Sequence, residues 1–172
     1  MEFTDNADVK VAYASSAAYT ITLASLATSA TRTAGREGTS VSNTTNLYLD
    51  YLAGGKITTG TSPTASKQID WWMYGSVDDT PTYPDVFDGT DSAETATSAD
   101  ILAAALAFFG SVLTDSTSDR TYWFKPTSVA AAFGGSLPKN HGPFIAHDTG
   151  VNLNSTGSNH TLSYTGLFAT VA

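Results

Sequence analysis

At 172 residues and 17.9 kDa the chain has the length of a single domain. Only 14% of its residues are charged, against about 25% in an ordinary soluble domain; 24 Ala, 19 Ser and 27 Thr fill the difference. Eight basic against sixteen acidic residues, with no cysteine, exclude a disulfide scaffold and a thiolate metal site and disfavour binding to nucleic acid or an anionic membrane, whose charge would repel the chain.

The acidic start, Met1-Glu2-Phe3-Thr4-Asp5, lacks the basic and apolar regions of a secretory signal. The longest apolar run, Ile101–Phe109, is too short to span a bilayer. The chain is therefore expected to be made and kept in a cytosol, or assembled there into something larger.

A period of two dominates, the mark of half-buried strands. Val9, Val11 and Tyr13 hint at a weak first strand, and residues 1–18 read as an N-terminal arm or edge strand preceding a β-sandwich over 19–172. In Tyr19–Leu23, Tyr19, Ile21 and Leu23 share one face. Leu47, Leu49 and Tyr51 do the same, opposite Asp50. Gly54-Gly55-Lys56 lacks the upstream glycine of a phosphate-binding loop and reads as a turn between strands. In Gln68–Tyr74, alternation puts Ile69, Trp71 and Met73 in the core with Gln68, Asp70 and Trp72 opposite.

Asp78–Ala99 reads as a long structureless loop carrying Asp78, Asp79, Asp85, Asp88, Asp91 and Glu94 and no base. Tyr83, Val86 and Phe87 within it would pin it to its own sandwich or to a neighbouring subunit. Ser98-Ala99-Asp100 resembles a helix cap, but a strand over about Leu102–Leu113 is favoured, forming a hairpin with Thr121–Lys125 across the turn-rich Thr114–Asp119. Ser128–Phe133 reads as a short helix stopped by Gly134-Gly135. Pro143–His147 and Thr161–Val171 complete about eight strands. The apolar phase slips at Gly166, which predicts a bulge there. Strands without interleaved amphipathic helices predict an all-β fold, an antiparallel two-sheet sandwich of jelly-roll type.

Chemistry is sparse. Neither Gly-x-Ser-x-Gly nor His-Glu-x-x-His occurs. His141, His147 and His160 read as surface residues. Asp50 and Asp70 could share a sheet face as an acid–base pair, but are expected to face solvent. Asp85, Asp88 and Asp91 offer oxygen ligands without an EF-hand's spacing. No metal, cofactor or catalytic residue is assigned, and the chain does not read as an enzyme. Trp72, Tyr74, Tyr83 and Phe87 are the candidate subunit or ligand contacts.

Phrases such as LYLDYLAGGKITTG, KQIDWWMYGSVDDTPTYPDVFDG and SLPKNHGPFIAHDTG resemble small virion proteins of tailed bacteriophages, over roughly residues 46 to 172. The resemblance carries no functional residues over. It implies a structural role in the virion: a capsid decoration (cement) protein that binds and stabilises the assembled shell, or alternatively a tail or fibre component with a glycan-binding sandwich. The expected partners are further copies of itself, as a homo-oligomer such as a trimer, and the major capsid or another virion protein.

Overall fold

The computed structural model describes residues 9–171. In chain order the elements are β1 (Val9–Tyr13), β2 (Ala17–Ala18), β3 (Ala34–Glu37), β4 (Val41–Ser42), β5 (Asp50–Thr58), β6 (Lys67–Ser76), β7 (Ser92–Thr95), α1 (Ala99–Ala105), β8 (Ala107–Thr114), β9 (Thr121–Ser128), α2 (Val129–Ala132), β10 (Asn140–His147) and β11 (Thr161–Val171). A 3-10 turn at Gly157–Asn159 precedes β11.

The strands form two antiparallel sheets packed as a sandwich. The first runs β1-β11-β5-β9, with β2 also on β11; the second runs β7-β3-β10-β6-β8, with β4 also on β10. From β5 onward the chain crosses between sheets at every step except β6 to β8. With β7 set aside as an added edge strand, this is the strand order of a jelly roll.

Trp71 is the centre of the core. It is fully buried, and its ring lies 4.6 Å from Phe109 on β8, 5.5 Å from Phe124 on β9 and 6.1 Å from Tyr19. One side chain thus ties both sheets and the segment after β2. Ile69 and Met73 flank it on β6, also fully buried. Phe109 reaches Trp71 because the β6–β8 register shifts beside Trp71 and Trp72: Phe109 turns inward while Phe108 faces out.

Several expectations change. Phe109 and Phe124 each meet Trp71 from opposite sheets, so β8 and β9 lie in different sheets and do not form a hairpin. The segment from Leu102 to Leu106 is not strand. Ser98 Oγ accepts the Ile101 N–H at 3.1 Å, and α1 runs to Ala105 before β8 starts. Tyr19–Leu23 buries Tyr19 and Leu23 as its alternation requires, yet joins no ladder. It crosses between sheets: the Tyr19 N–H donates to Leu162 O and the Thr39 N–H donates to Thr20 O, each at 2.8 Å. Leu47 and Leu49 lie outside the core, because β5 begins only at Asp50, after a left-handed Leu47.

Gly54-Gly55-Lys56 is not a turn; it lies inside β5. A Cβ on Gly55 would strike the Thr161 carbonyl and Leu162 of the neighbouring strand. No bulge occurs at Gly166 in the β5–β11 register. The inward phase continues through Leu162, Tyr164, Gly166 and Phe168, and the missing side chain at Gly166 makes room for the Tyr48 ring. The helix expected near Ser128 is α2, capped by Ser128 Oγ and stopped by Gly134 and Gly135 at positive φ.

Every residue of β10 is buried, although proline is a poor fit to a central strand. Pro143 O accepts the Gly38 N–H at 2.8 Å. A strand residue's N–H and C=O face the same neighbour, so the proline's missing donor faces residues 38–40, where the chain is broken between β3 and β4. No ladder bond is lost.

These contacts predict that Gly55→Ala destabilises the fold by at least about 2 kcal/mol through overpacking. Gly134→Ala, where a Cβ meets nothing within 4 Å, should cost only about 1 kcal/mol from its positive φ. Urea unfolding of the two variants measures both.

Candidate contact surfaces

The two sheets differ in what covers them. The outer face of the second sheet is buried under the segment 78–106. Tyr74 and Phe144 point out from β6 and β10 and meet Phe87, which stacks on Tyr74 at 5.5 Å and meets Phe144 edge-on at 5.1 Å. Leu102 of α1 and Leu106 just beyond it, with Ala96, close the cluster, and Trp72 and Tyr83 are half-buried at its margin. Each fully buried side chain of this size contributes about 1.5–3 kcal/mol, so the cover is a second core.

Trp72, Tyr74, Tyr83 and Phe87 are therefore brought together, in a cluster that packs on the protein's own sheet. Tyr74 is wholly buried and Phe87 is 5% exposed. Only the edges of Trp72, which meets Phe108 at 4.8 Å, and of Tyr83 reach the surface. The 78–99 segment is not structureless either, since β7 within it pairs with β3.

The acidic residues of that segment act as latches, and one device recurs. Asp85 accepts the N–H and hydroxyl of Thr97 at 2.8 and 2.6 Å. Asp88 accepts those of Thr90 at 2.9 and 2.6 Å. Asp91 accepts those of Thr22 at 3.0 and 2.6 Å, and its Oδ1 also pairs with Arg36 Nε at 2.5 Å. The threonine bonds hold the Asp85 and Asp88 carboxyls below their ordinary range. Burial pushes Asp91 up, but Arg36 and Thr22 more than offset it. Glu37, buried beneath, accepts the Gly89 N–H at 2.6 Å. With each carboxylate separately engaged, no group of three or more metal-ligating side chains forms among the described residues.

Asp50 and Asp70 do not share a face; they lie on different sheets. Asp50 accepts the Ser128 hydroxyl at 2.5 Å and the Ala130 N–H at 2.8 Å, anchoring α2. Asp70 is 5% exposed and does not face solvent. Arg32 bridges it at 2.6 Å to Asp148 at 3.0 Å, with Lys67 3.6 Å from Asp148. Every Arg32 contact here is spent on stapling the segment before β3 to β6 and β10.

The histidines are not surface residues. His147 is buried, with Nδ1 3.0 Å from Thr149 Oγ1 and Nε2 3.1 Å from Leu26 O. Half-buried His160 has Nε2 2.8 Å from Asn154 O. His141 is wholly buried against the Tyr51 ring at 5.0 Å and the Tyr19 ring at 6.3 Å. Neither of its ring nitrogens has a hydrogen-bond partner among the described residues. Burial lowers its pKa to about 4, against a weaker pull from Asp50.

Among the described residues, nothing covers the outer face of the first sheet along β1 and β11. Along β1 and β11 the pairs Val9–Val171, Val11–Ala169 and Tyr13–Leu167 place six apolar side chains on one face. Val9, Val11, Tyr13 and Val171 are each about 60% exposed. Leu49, equally exposed, donates its N–H to Leu167 O at 2.8 Å beside them. β1 also leaves one backbone edge of the sheet unpaired. Contiguous exposed apolar surface of this kind marks interaction sites. In the sequence this stripe showed only as the weak alternation of Val9, Val11 and Tyr13; its other half comes from the end of the chain. No helix among the described residues is long and apolar enough to cross a membrane.

Two outcomes follow. Folded-state protonation of His141 is suppressed relative to the unfolded chain, so stability is complete above about pH 6.5 and falls as the pH drops toward 4, by roughly 3 kcal/mol. His141→Phe should flatten that part of a urea-unfolding pH series. Asp91→Ala, which strands the Thr22 and Arg36 donors, should cost about 2 kcal/mol and speed amide exchange in Ser92–Thr95.

Comparison with known proteins finds no matching family, no matching curated protein and no matching solved structure.

Proposed function

We propose that this protein is a structural component of a tailed-phage virion, a capsid decoration protein that self-associates and binds the assembled shell. The observation that carries the reading is the asymmetry of the sandwich. The second sheet is covered on both faces by the chain itself over its central strands β6 and β10, while among the described residues the first leaves the Val9, Val11, Tyr13, Leu167 and Val171 stripe open beside an unpaired strand edge.

The polar groups support the reading by being spent internally. The Asp–Thr latches, the Arg32 bridge and the Asp50 anchor hold loops and helices in place. What remains for partners is surface. A protein that binds only the assembled lattice stabilises it by mass action. Many weak, symmetric contacts multiply through avidity, so each interface can be modest. Jelly rolls occur in viral capsid and lectin domains alike, so the fold alone decides nothing; the open apolar stripe and the resemblance favour the structural reading.

Mass spectrometry of purified virions tests it. Hundreds of copies per particle support a shell protein, a handful would move it to the tail, and absence from the particle would overturn the proposal. A Val9→Thr, Val11→Thr, Tyr13→Thr variant keeps strand propensity and should stay within about 1 kcal/mol in stability. It should lose self-association and bind shells at least about tenfold more weakly.

A further inference from the structure

A cleft of about 470 Å³ opens between the sheets on the side away from β8 and β9, within the roughly 300–1,000 Å³ of small-ligand sites. Four parts of the chain build it: the β1–β2 connection with β2, the junction of β3 and β4, the approach to β5, and the middle of β11. Gly166 shapes it by letting the Tyr48 ring lie flush on β11.

We infer that this cleft binds a short neutral saccharide. The protein carries a net charge of -8, yet no Asp, Glu, Lys, Arg or His lines the cleft. It therefore offers no charged partner to a phosphate, a carboxylate or a metal cation.

Hydroxyl- and amide-bearing residues such as Thr20, Thr39 and Asn46 line the cleft beside the half-buried rings of Tyr48 and Tyr164, with Tyr51 wholly buried behind them. Hydroxyls and amides donate and accept alike, which matches the mixed donors and acceptors of a sugar ring. Tyrosine rings supply an apolar face with a polar tip, which matches the C–H face of that ring. The tyrosines are held at fixed angles, with Tyr51 edge-on to Tyr48 at 5.3 Å and to Tyr164 at 5.4 Å.

A layer of buried rings lies one side chain behind the wall. Tyr164 packs on Tyr19 at 4.6 Å and Tyr51 on His141 at 5.0 Å. The Tyr19 hydroxyl and both His141 nitrogens are buried without a partner among the described residues. Such unspent hydrogen-bonding capacity is unusual in a folded core; of the six such atoms among the described residues, three belong to Tyr19 and His141 behind this cleft and the others to Trp71, Trp72 and Tyr83. The site is separate from the Trp72 and Tyr83 surface and from the stripe on β1.

The test is NMR titration of the ¹⁵N-labelled full chain with glucose, galactose, mannose, N-acetylglucosamine and their disaccharides, at millimolar concentrations suited to weak sites. The expected result is saturable shifts confined to amides of residues 15–20, 39–42, 46–51 and 164–166 for at least one sugar. Thr39→Val with Asn46→Ala should weaken binding at least tenfold. Ala17→Phe, which fills the cleft, should abolish it. If no sugar moves these amides, or if the shifts persist unchanged in the Thr39→Val, Asn46→Ala variant, the inference is overturned. A failure here leaves the virion copy number untouched, so the two readings stand or fall separately.

Discussion

The constraint on which the molecule depends is that β10 has no side in water. Its eight residues are buried without exception, between β3 and β6 in the plane and between two apolar layers above and below. An ordinary sandwich buries one face of each sheet. Here the second sheet must be covered twice, because β6 and β10 carry Tyr74 and Phe144 on the face away from the sandwich core. The segment 78–106 exists to meet that demand. Its aromatic residues fill the outer layer, the Asp85–Thr97 and Asp88–Thr90 pairs brace it internally, and Asp91 fastens it to Thr22 and Arg36.

This arrangement explains a composition rich in threonine and poor in charge. Threonine suits strands, and it also serves the latches, where one residue offers a backbone N–H and a hydroxyl to the same carboxylate. The bases are used in the same way: Arg32 and Arg36 tie loops to strands. Buried ion pairs add little net stability compared with apolar packing. They do fix geometry, and two carboxylates sharing Arg32 hold the entry to β3 in one register.

The functional consequence is a division of surface. The covered sheet is closed to partners over its centre, which removes the aromatic cluster of the loop from the set of large exposed surfaces. The uncovered sheet keeps an apolar stripe made from the two ends of the chain, and the seam between the sheets keeps a polar cleft. Stripe and cleft differ in chemistry: one suits burial against another protein, the other suits hydrogen bonding to a small neutral ligand.

Local pattern alone determined the antiparallel sandwich, the inward set Ile69, Trp71 and Met73, and the short glycine-stopped helix after Ser128. Each depends on a period or a cap contained within a few residues. Tertiary structure decided what depends on partners distant in sequence. Period two cannot distinguish an outward face in water from one under a second layer, so local pattern leaves Asp70, His141 and His147 at the surface when all three are buried. Nor can it say which strands pair, and β8 and β9 oppose each other across the core because Trp71 needs an aromatic ring from each sheet. The glycines of β5 resemble a turn until β11 is seen lying against them, and Gly166 resembles a bulge until Tyr48 is placed over it. The open stripe is least legible of all, since the first and last strands must be brought together before it exists.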